Sequence, residues 1–456
     1  MSNVPMTLPE LMIAEHETEC GHSSTFVELD DDRILHVAGF WKNQSEDGGL
    51  TWSKLVPDKM VDINGKEVGG AECSLVRLSE KNAIGLSARV QDDPTDTTWP
   101  LPPKGFQFKF WRSNDNGQTW QPPIRMSAPG TSTAGYQDTF LRTQSGRIIL
   151  PVFHCLGQAR NRKDSTLPFW ETGHQHPSIA GKLVNGKFLP TTGHFFDTRF
   201  TCVYFLYSDD DGCTWQRNQD GELIPLLDWN TAFSYCNETS VTEVAPGRLL
   251  AMMRNGLGRL LQAWSNDNGQ TWTRPQPTCL AACTTPAQIR TLPNGHLLCV
   301  WNQTGETEFK QGYNRTRVSS AISRNGGSVW EFFQNVQAMS ETVRLEPGPI
   351  QGVRPAELYS EPGQPALQRE AEHVVSRDKH VRWGYPSVLV MKDRVLIAHT
   401  YTTFEEHPTR ADLVQTSKGE GAPNQKLKVL PLNWFYGGKE PCENSVLAEA
   451  YEPAKP

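Results

Sequence analysis

Residues 265–272 read SNDNGQTW, and near copies return along most of the chain: SEDGGLTW at 45–52, SNDNGQTW at 113–120, SDDDGCTW at 208–215 and a worn SRNGGSVW at 323–330. The shared form is S-x-D-x-G-x-T-W, and each fixed position has a physical use. The Asp folds its carboxylate back onto nearby backbone N–H groups, while the glycine two residues on supplies positive φ. Together they make a tight hairpin turn. The Thr and Trp that follow have strand preference, and the indole is large enough to staple the turn onto the sheet beneath it. A five-position pattern matched four times denotes a repeat architecture before it denotes any chemistry. Each box holds one fixed acid with no ligand cluster beside it, so Asp47, Asp115, Asp210 and Asp267 are expected to be structural and to hold no metal.

A second repeat lies between the boxes. Six segments share the form apolar strand, short turn, apolar strand: residues 25–39, 73–89, 138–154, 239–255, 287–302 and 386–401. Each reads as a β-hairpin by period and turn chemistry. One such hairpin plus one box hairpin gives a four-stranded antiparallel sheet. Six sheets repeated radially bury their faces on one another, which predicts an all-β, six-bladed β-propeller occupying residues 1–456 as a single domain. Seven blades is the alternative, because some intervals between hairpins are long. The stretch 427–438, LKVLPLNWFYGG, is the expected closing strand, completing the first or last blade and hiding its edge. Residues 91–107, 156–200 and 338–383 are expected to be insertions that shape one mouth of the channel, where propellers bind ligands.

Composition sets outer bounds. A net charge of −7 argues against a basic field for nucleic acid. The opening MSNVPMTLPELMIAEHETEC has no basic start, long apolar run or small-residue cleavage site, so no membrane anchor and a cytoplasmic location are expected. The ten Cys are scattered and fit reduced thiols better than a zinc site, and His174, His176 and His194 match no standard metal spacing. No metal or cofactor is expected. Asn43, Asn237, Asn302 and Asn314 head N-x-S/T sequons, which carry little meaning without a secretory route.

Superposing the six hairpins on their first apolar residue brings Ser23, Glu72, Gln137, Glu238, Pro286 and Tyr385 into one register, predicted to ring a common opening. On the returning strands Arg89 and Arg254 fall near the same opening. Arg315 precedes the fifth box, and Arg317 beside it is expected to face solvent. Several Arg, two Glu and a Tyr are poor core material, since burying such charges unpaired is expensive. An anionic ligand explains them better.

The repeated boxes, Glu238 in NETSVTEVAPGRLLAMMRN with Arg254 near its end, Arg315 in NRTRVSSAISRNGG and Tyr385 in GYPSVLVMKDRVLIAHTY together resemble the sialidase (neuraminidase) superfamily. That resemblance implies an exo-acting retaining glycoside hydrolase releasing a terminal acidic sugar, most simply sialic acid, from an acidic glycan. Tyr385 would be the nucleophile and Glu238 its base, with Arg254 and Arg315 clamping the substrate carboxylate. Glu72 or an acid of the run Asp92, Asp93, Asp96 would protonate the leaving oxygen. Sialidases carry a first clamp arginine in an R-I-P motif on an early inner strand. Here the corresponding stretches, GHSSTFV at 21–27 and GAECSLV at 70–76, contain no arginine. Arg89, on the returning strand beside the second, is the expected substitute.

Two other classes stay open. A polysaccharide lyase acting on uronic acids would use an Arg to neutralise the carboxylate and Tyr385, His154 or His22 to take the proton. A carbohydrate-binding propeller without catalysis is the third, because fold does not fix function.

Overall fold

The computed structural model describes residues 8–19, 24–29, 32–91, 106–127, 133–155, 181–184, 187–190, 201–219, 226–228, 232–233, 236–255, 258–283, 285–304, 315–338, 379–406, 413–415 and 424–441. They form a six-bladed β-propeller whose blades are antiparallel sheets. Blade one runs Ser24–Glu28, Ile34–Ala38, Trp41–Ser45 and Val56–Pro57; blade two runs Ala71–Arg77, Ile84–Gln91, Phe106–Ser113 and Ile124–Arg125. In blade three the inner edge is split into Thr133–Gly135 and Leu141–Arg142, followed by Ile148–Cys155, Thr201–Ser208 and Gln216–Arg217. Blade four is Asn237–Ala245, Arg248–Arg254, Arg259–Ser265 and Gln276–Ala281, and blade five is Gln288–Thr291, Leu297–Trp301, Arg317–Ser323 and Glu331–Ala338.

Blade six closes the ring with chain from both ends. Its inner strands are Lys379–Val390 and Arg394–Glu406, and its third is Gln425–Pro431. The stretch expected to close the fold is therefore a strand only in its first part. Beyond Pro431 it turns into a short 3-10 helix, Leu432–Tyr436, that buries Trp434, Phe435 and Tyr436. The outermost strand is Ala14–Thr18, paired antiparallel with Gln425–Pro431 from Ala14 opposite Val429 to Thr18 opposite Gln425. It covers an edge that would otherwise offer unpaired backbone groups to other chains.

Six apolar clusters fill the six junctions between neighbouring blades. Leu35 and Val37 of blade one meet Leu86 and Trp111 of blade two, and Phe26 and Ile34 on the other side meet Leu396 and Val429 of blade six. The boxes contribute to these junctions directly. Asp47, Asp115, Asp210 and Asp267 each accept from the box Ser hydroxyl and from the backbone N–H and hydroxyl of the box Thr. The box glycines have the expected positive φ, 91° at Gly49 and 82° at Gly117. They also meet the preceding blade: a Cβ on Gly117 would lie 2.7 Å from Leu35, and one on Gly212 would lie 2.3 Å from Phe110. Glycine thus serves both the turn and the close blade-to-blade approach.

Candidate active site

The inner strands carry their unusual backbone at the register predicted to ring the opening. Pairing between Asn237–Ala245 and its neighbour shifts at Glu238, between Ala71 and Ser74 it shifts around Glu72, and between Gly384 and Ser387 it shifts around Tyr385. At each interruption the chemically useful residue has left-handed backbone, with φ of 24° for Glu238, 54° for Glu72 and 52° for Tyr385. Such conformations cost a non-glycine residue about 1–3 kcal/mol each and cluster at functional sites. A bulge re-aims the side chain it carries away from the regular alternation of the strand.

The bulges bring three of the predicted residues into contact. Tyr385 Oη donates to Glu238 Oε1 at 3.4 Å, and Arg254 Nη1 lies 3.5 Å from the same hydroxyl. Arg254 also forms a short ion pair with Glu238 Oε2. Both partners of that pair are buried. The Arg315 guanidinium lies 5.0 Å from the centre of the Tyr385 ring, which holds a cation against the ring's π face. Tyr385, Glu238, Arg254 and Arg315 therefore form one cluster drawn from three blades.

Glu72 stands on the next part of the rim and interacts with Glu238 through space. Burial raises its pKa, although Arg89 and the Gly135 N–H act in the opposite direction. Arg89 Nη2 is 2.8 Å from Glu72 Oε1, and its guanidinium rests 4.4 Å from the Phe106 ring centre. The structure thus places Arg89 on Glu72 rather than beside Tyr385. Asp92, Asp93, Asp96, Ser23, His22, Asn314 and the three His of 156–200 lie outside the described residues. His154 pairs its backbone with Cys202 and Thr133 in blade three.

Arg317 corrects the expectation of a solvent-facing side chain: it is only 2% exposed. It opens the third strand of blade five, where its backbone pairs with Ala338 and its carbonyl accepts from Asn302 Nδ2. Asn43, Asn237 and Asn302 are also buried in strands or hydrogen-bond networks, with Asn302 donating to the carbonyls of Arg317 and Trp383.

Sequence reasoning placed Gln137 on the rim but missed Tyr136 beside it, and it missed that both hold the bulge at Tyr385. Tyr136 donates its hydroxyl to the Pro386 carbonyl, and its ring lies 6.2 Å from that of Tyr385. Burial keeps the Tyr136 phenol well above its usual pKa, so it stays a donor. Gln137 Nε2 donates to the Tyr385 carbonyl at 3.0 Å. The next residue, Asp138, ties neighbouring blades together, accepting from Thr25 Oγ1, Val388 N and Arg290 Nη2. Among the described residues, no group of three or more His, Cys, Asp or Glu is placed to hold a metal ion.

Fold and site together define a six-bladed propeller of sialidase-like architecture with an Arg-rich, Tyr–Glu centre. The pattern of the BNR repeat-like domain matches residues 75–397, and the chain belongs to that family. No curated protein sequence matches it. Among solved structures it is similar to the intramolecular trans-sialidase of Ruminococcus gnavus, with TM-score 0.54 and 12% identity over 94% of this chain and 99% of that one. It is also similar to the NanB sialidase of Streptococcus pneumoniae, with TM-score 0.53 and 10% identity over 93% and 71%. The Hadza microbial sialidase Hz136 aligns with TM-score 0.52 and 15% identity over 95% and 68%. At these identities the likeness is one of fold.

Proposed function

We propose that this protein is an exo-acting retaining glycoside hydrolase that removes a terminal acidic sugar, most simply sialic acid, through Tyr385. The contact between Tyr385 and Glu238, made by two strained bulges from different blades, carries this reading. A sugar with a carboxylate on its anomeric carbon repels a carboxylate nucleophile, whereas a neutral phenol can approach. As Tyr385 Oη forms its bond to the anomeric carbon, its proton passes to Glu238. The glycosidic C–O bond breaks, and the leaving oxygen takes a proton from a carboxylic acid.

Glu72 suits that second role in one respect, because burial favours its protonated form. Water then attacks the anomeric carbon and gives its proton to the carboxylate left when the leaving oxygen was protonated, the bond to Tyr385 Oη breaks, and the phenol recovers a proton from Glu238. Two displacements give net retention. Arg254 orients Glu238 through their ion pair and faces the phenol oxygen as its charge develops.

The test is product mass spectrometry after incubation in oxygen-18 water with α-sialosides and uronate-containing oligosaccharides. Free sialic acid carrying the heavy oxygen, lost in Tyr385→Phe while ligand binding persists, is the expected result. Unlabelled unsaturated uronate would establish a lyase instead. An active Tyr385→Phe enzyme would remove the covalent mechanism.

A further inference from the structure

The sequence lacks an arginine where the first clamp residue is expected, and Arg89 is engaged with Glu72 at 2.8 Å. A different cation stands on the nucleophile's own strand. From Lys379 to Gly384 that strand pairs without interruption with its neighbour, Arg382 opposite Thr402 and Gly384 opposite Thr400. Over such a stretch residues two apart share one face, about 7 Å from each other along the strand. Arg382 and Gly384 are therefore like-facing neighbours, immediately ahead of the bulge that presents Tyr385.

Gly384 locates Arg315 on that face. A Cβ built on Gly384 would lie 3.2 Å from Arg315 Nη1, 3.5 Å from its Cδ and 3.7 Å from its Cζ. The side chain of Arg315 lies flat over the bare glycine, with its guanidinium 5.0 Å from the Tyr385 ring centre. Its backbone is tied to the same strand, where the Trp383 N–H donates to the Arg315 carbonyl at 2.9 Å. Arg382 occupies the adjoining position of the surface that Arg315 crosses. Its pKa falls to about 10, because burial and the nearby charge of Arg315 both disfavour a second cation there. A carboxylate that reached both guanidinium groups would accept a charge-assisted hydrogen bond from each.

We infer that Arg382 supplies the cation missing from the early inner strand, so that a substrate carboxylate is gripped by Arg382 and Arg315 over the bare surface of Gly384. This inference rests on the proposed hydrolysis of an acidic sugar and names the residues that read its charge. The clamp is thereby shifted onto the strand of the nucleophile, and the carboxylate and the reacting carbon are positioned by one element.

Calorimetric titration tests it with two acid–ester pairs: 2-deoxy-2,3-didehydro-N-acetylneuraminic acid with its methyl ester, and a methyl glucuronide with its methyl ester. The unaltered protein is expected to prefer the acid of at least one pair. In Arg382→Met that preference falls roughly ten- to a hundred-fold, as expected when a charged hydrogen-bond partner is removed, while affinity for the ester is unchanged. If Arg382→Met does not fold, Arg382→Lys carries the test, since it keeps a charge but not the planar fork, and the preference falls several-fold. A preference that survives in either folded variant overturns the clamp and leaves acidic-sugar hydrolysis standing. Equal losses for acid and ester mark Arg382 as structural and also overturn it. An unaltered protein that prefers neither acid sinks the acidic-sugar reading and the clamp with it.

Discussion

The Tyr385 hydroxyl meets the Glu238 carboxylate at 3.4 Å, and each residue reaches that contact from a bulge with left-handed backbone. Strain of this kind persists only where the surroundings over-determine it. Tyr136 and Gln137 of blade three do so for Tyr385 by binding the carbonyls of Pro386 and of Tyr385 itself. Tyr136→Phe leaves a buried carbonyl without that donor and is expected to cost about 1–3 kcal/mol. Because the bulge aims Tyr385, the proposed nucleophile, kcat should fall by about ten-fold or more while KM changes little. Steady-state kinetics beside a denaturant titration separates the two effects, and an unchanged kcat would show that the bulge holds without Tyr136.

Gly384→Ala tests how closely Arg315 is seated. The new methyl carbon would lie 3.2 Å from Nη1, so the guanidinium must retreat by a few tenths of an ångström. Its far end is flexible, so the folding cost is small. A misplaced charged donor loses part of its bond, and KM for a carboxylate substrate is expected to rise roughly three- to ten-fold. Melting temperature should stay within a few degrees. A large fall in melting temperature would show instead that the glycine is required by the strand.

Much of the fold was legible because repeats announce themselves: the Asp, Gly, Thr and Trp of four boxes specify one turn, and the structure shows it four times. The rim register was legible for the same reason, since laying one hairpin over another needs no knowledge of the backbone. The bulges at Glu72, Glu238 and Tyr385 were not, because a bulge leaves the residue count of the hairpin almost unchanged. Ala14–Thr18 was also hidden, reading AEHET without an apolar alternation, since its partner strand and two lysines support it rather than a buried face. Arg317 misled because the burial of an arginine at the start of a strand leaves no mark in the residues around it. Arg382 passed unnoticed for a related reason: its position relative to Gly384 matters only once Arg315 is known to lie there.

The boxes should give the fold an acid limit. Hydrogen bonds from Thr51, opposed by a little burial, bring the Asp47 carboxyl down to about 2. For Asp115, Asp210 and Asp267 burial opposes the shift, but bonds from the box Thr and Ser outweigh it and lower the pKa too. A carboxyl with a depressed folded pKa stabilises fully above its unfolded value near 4 and loses that contribution as pH falls toward 2. Melting temperature should therefore drop between about pH 4 and 2. The worn fifth box shows what removes the slope, for Asn325 accepts from Ser323 Oγ and Val329 N with no charge to titrate. Asp47→Asn is expected to keep the turn and flatten the acid limb, and an unchanged limb would place the titration elsewhere.

Removing residues 1–19 takes away Ala14–Thr18 and bares the edge of Gln425–Pro431. It also removes Glu15, which lies 3.0 Å from Lys426 Nζ and 3.3 Å from Lys428 Nζ. Each lost backbone hydrogen bond costs about 0.5–1.5 kcal/mol, so several kcal/mol are expected from the strand as a whole. The bared edge should also associate, giving light scattering that grows with protein concentration. Full stability in the truncated chain would mean that the remaining three strands close the ring unaided.

Asp138 is the sharpest test of how the blades are tied together, because four blades converge on it. Thr25 belongs to blade one, Val388 to blade six and Arg290 to blade five, and all three donate to a carboxylate presented by blade three. Burial raises the Asp138 pKa even against the Arg290 charge, so the pair is held by geometry rather than by cheap solvation. Removing one member of a buried pair leaves the other uncompensated, and Asp138→Ala is expected to cost about 3–5 kcal/mol. Replacing both charges is a different matter, because the desolvation cost leaves with them. Asp138→Leu combined with Arg290→Met should recover part of that loss in denaturant titrations, the Thr25 and Val388 donors still lacking their acceptor. A double variant no better than the sum of the singles would show that the carboxylate acts mainly through its neutral donors, and that Arg290 contributes packing rather than charge.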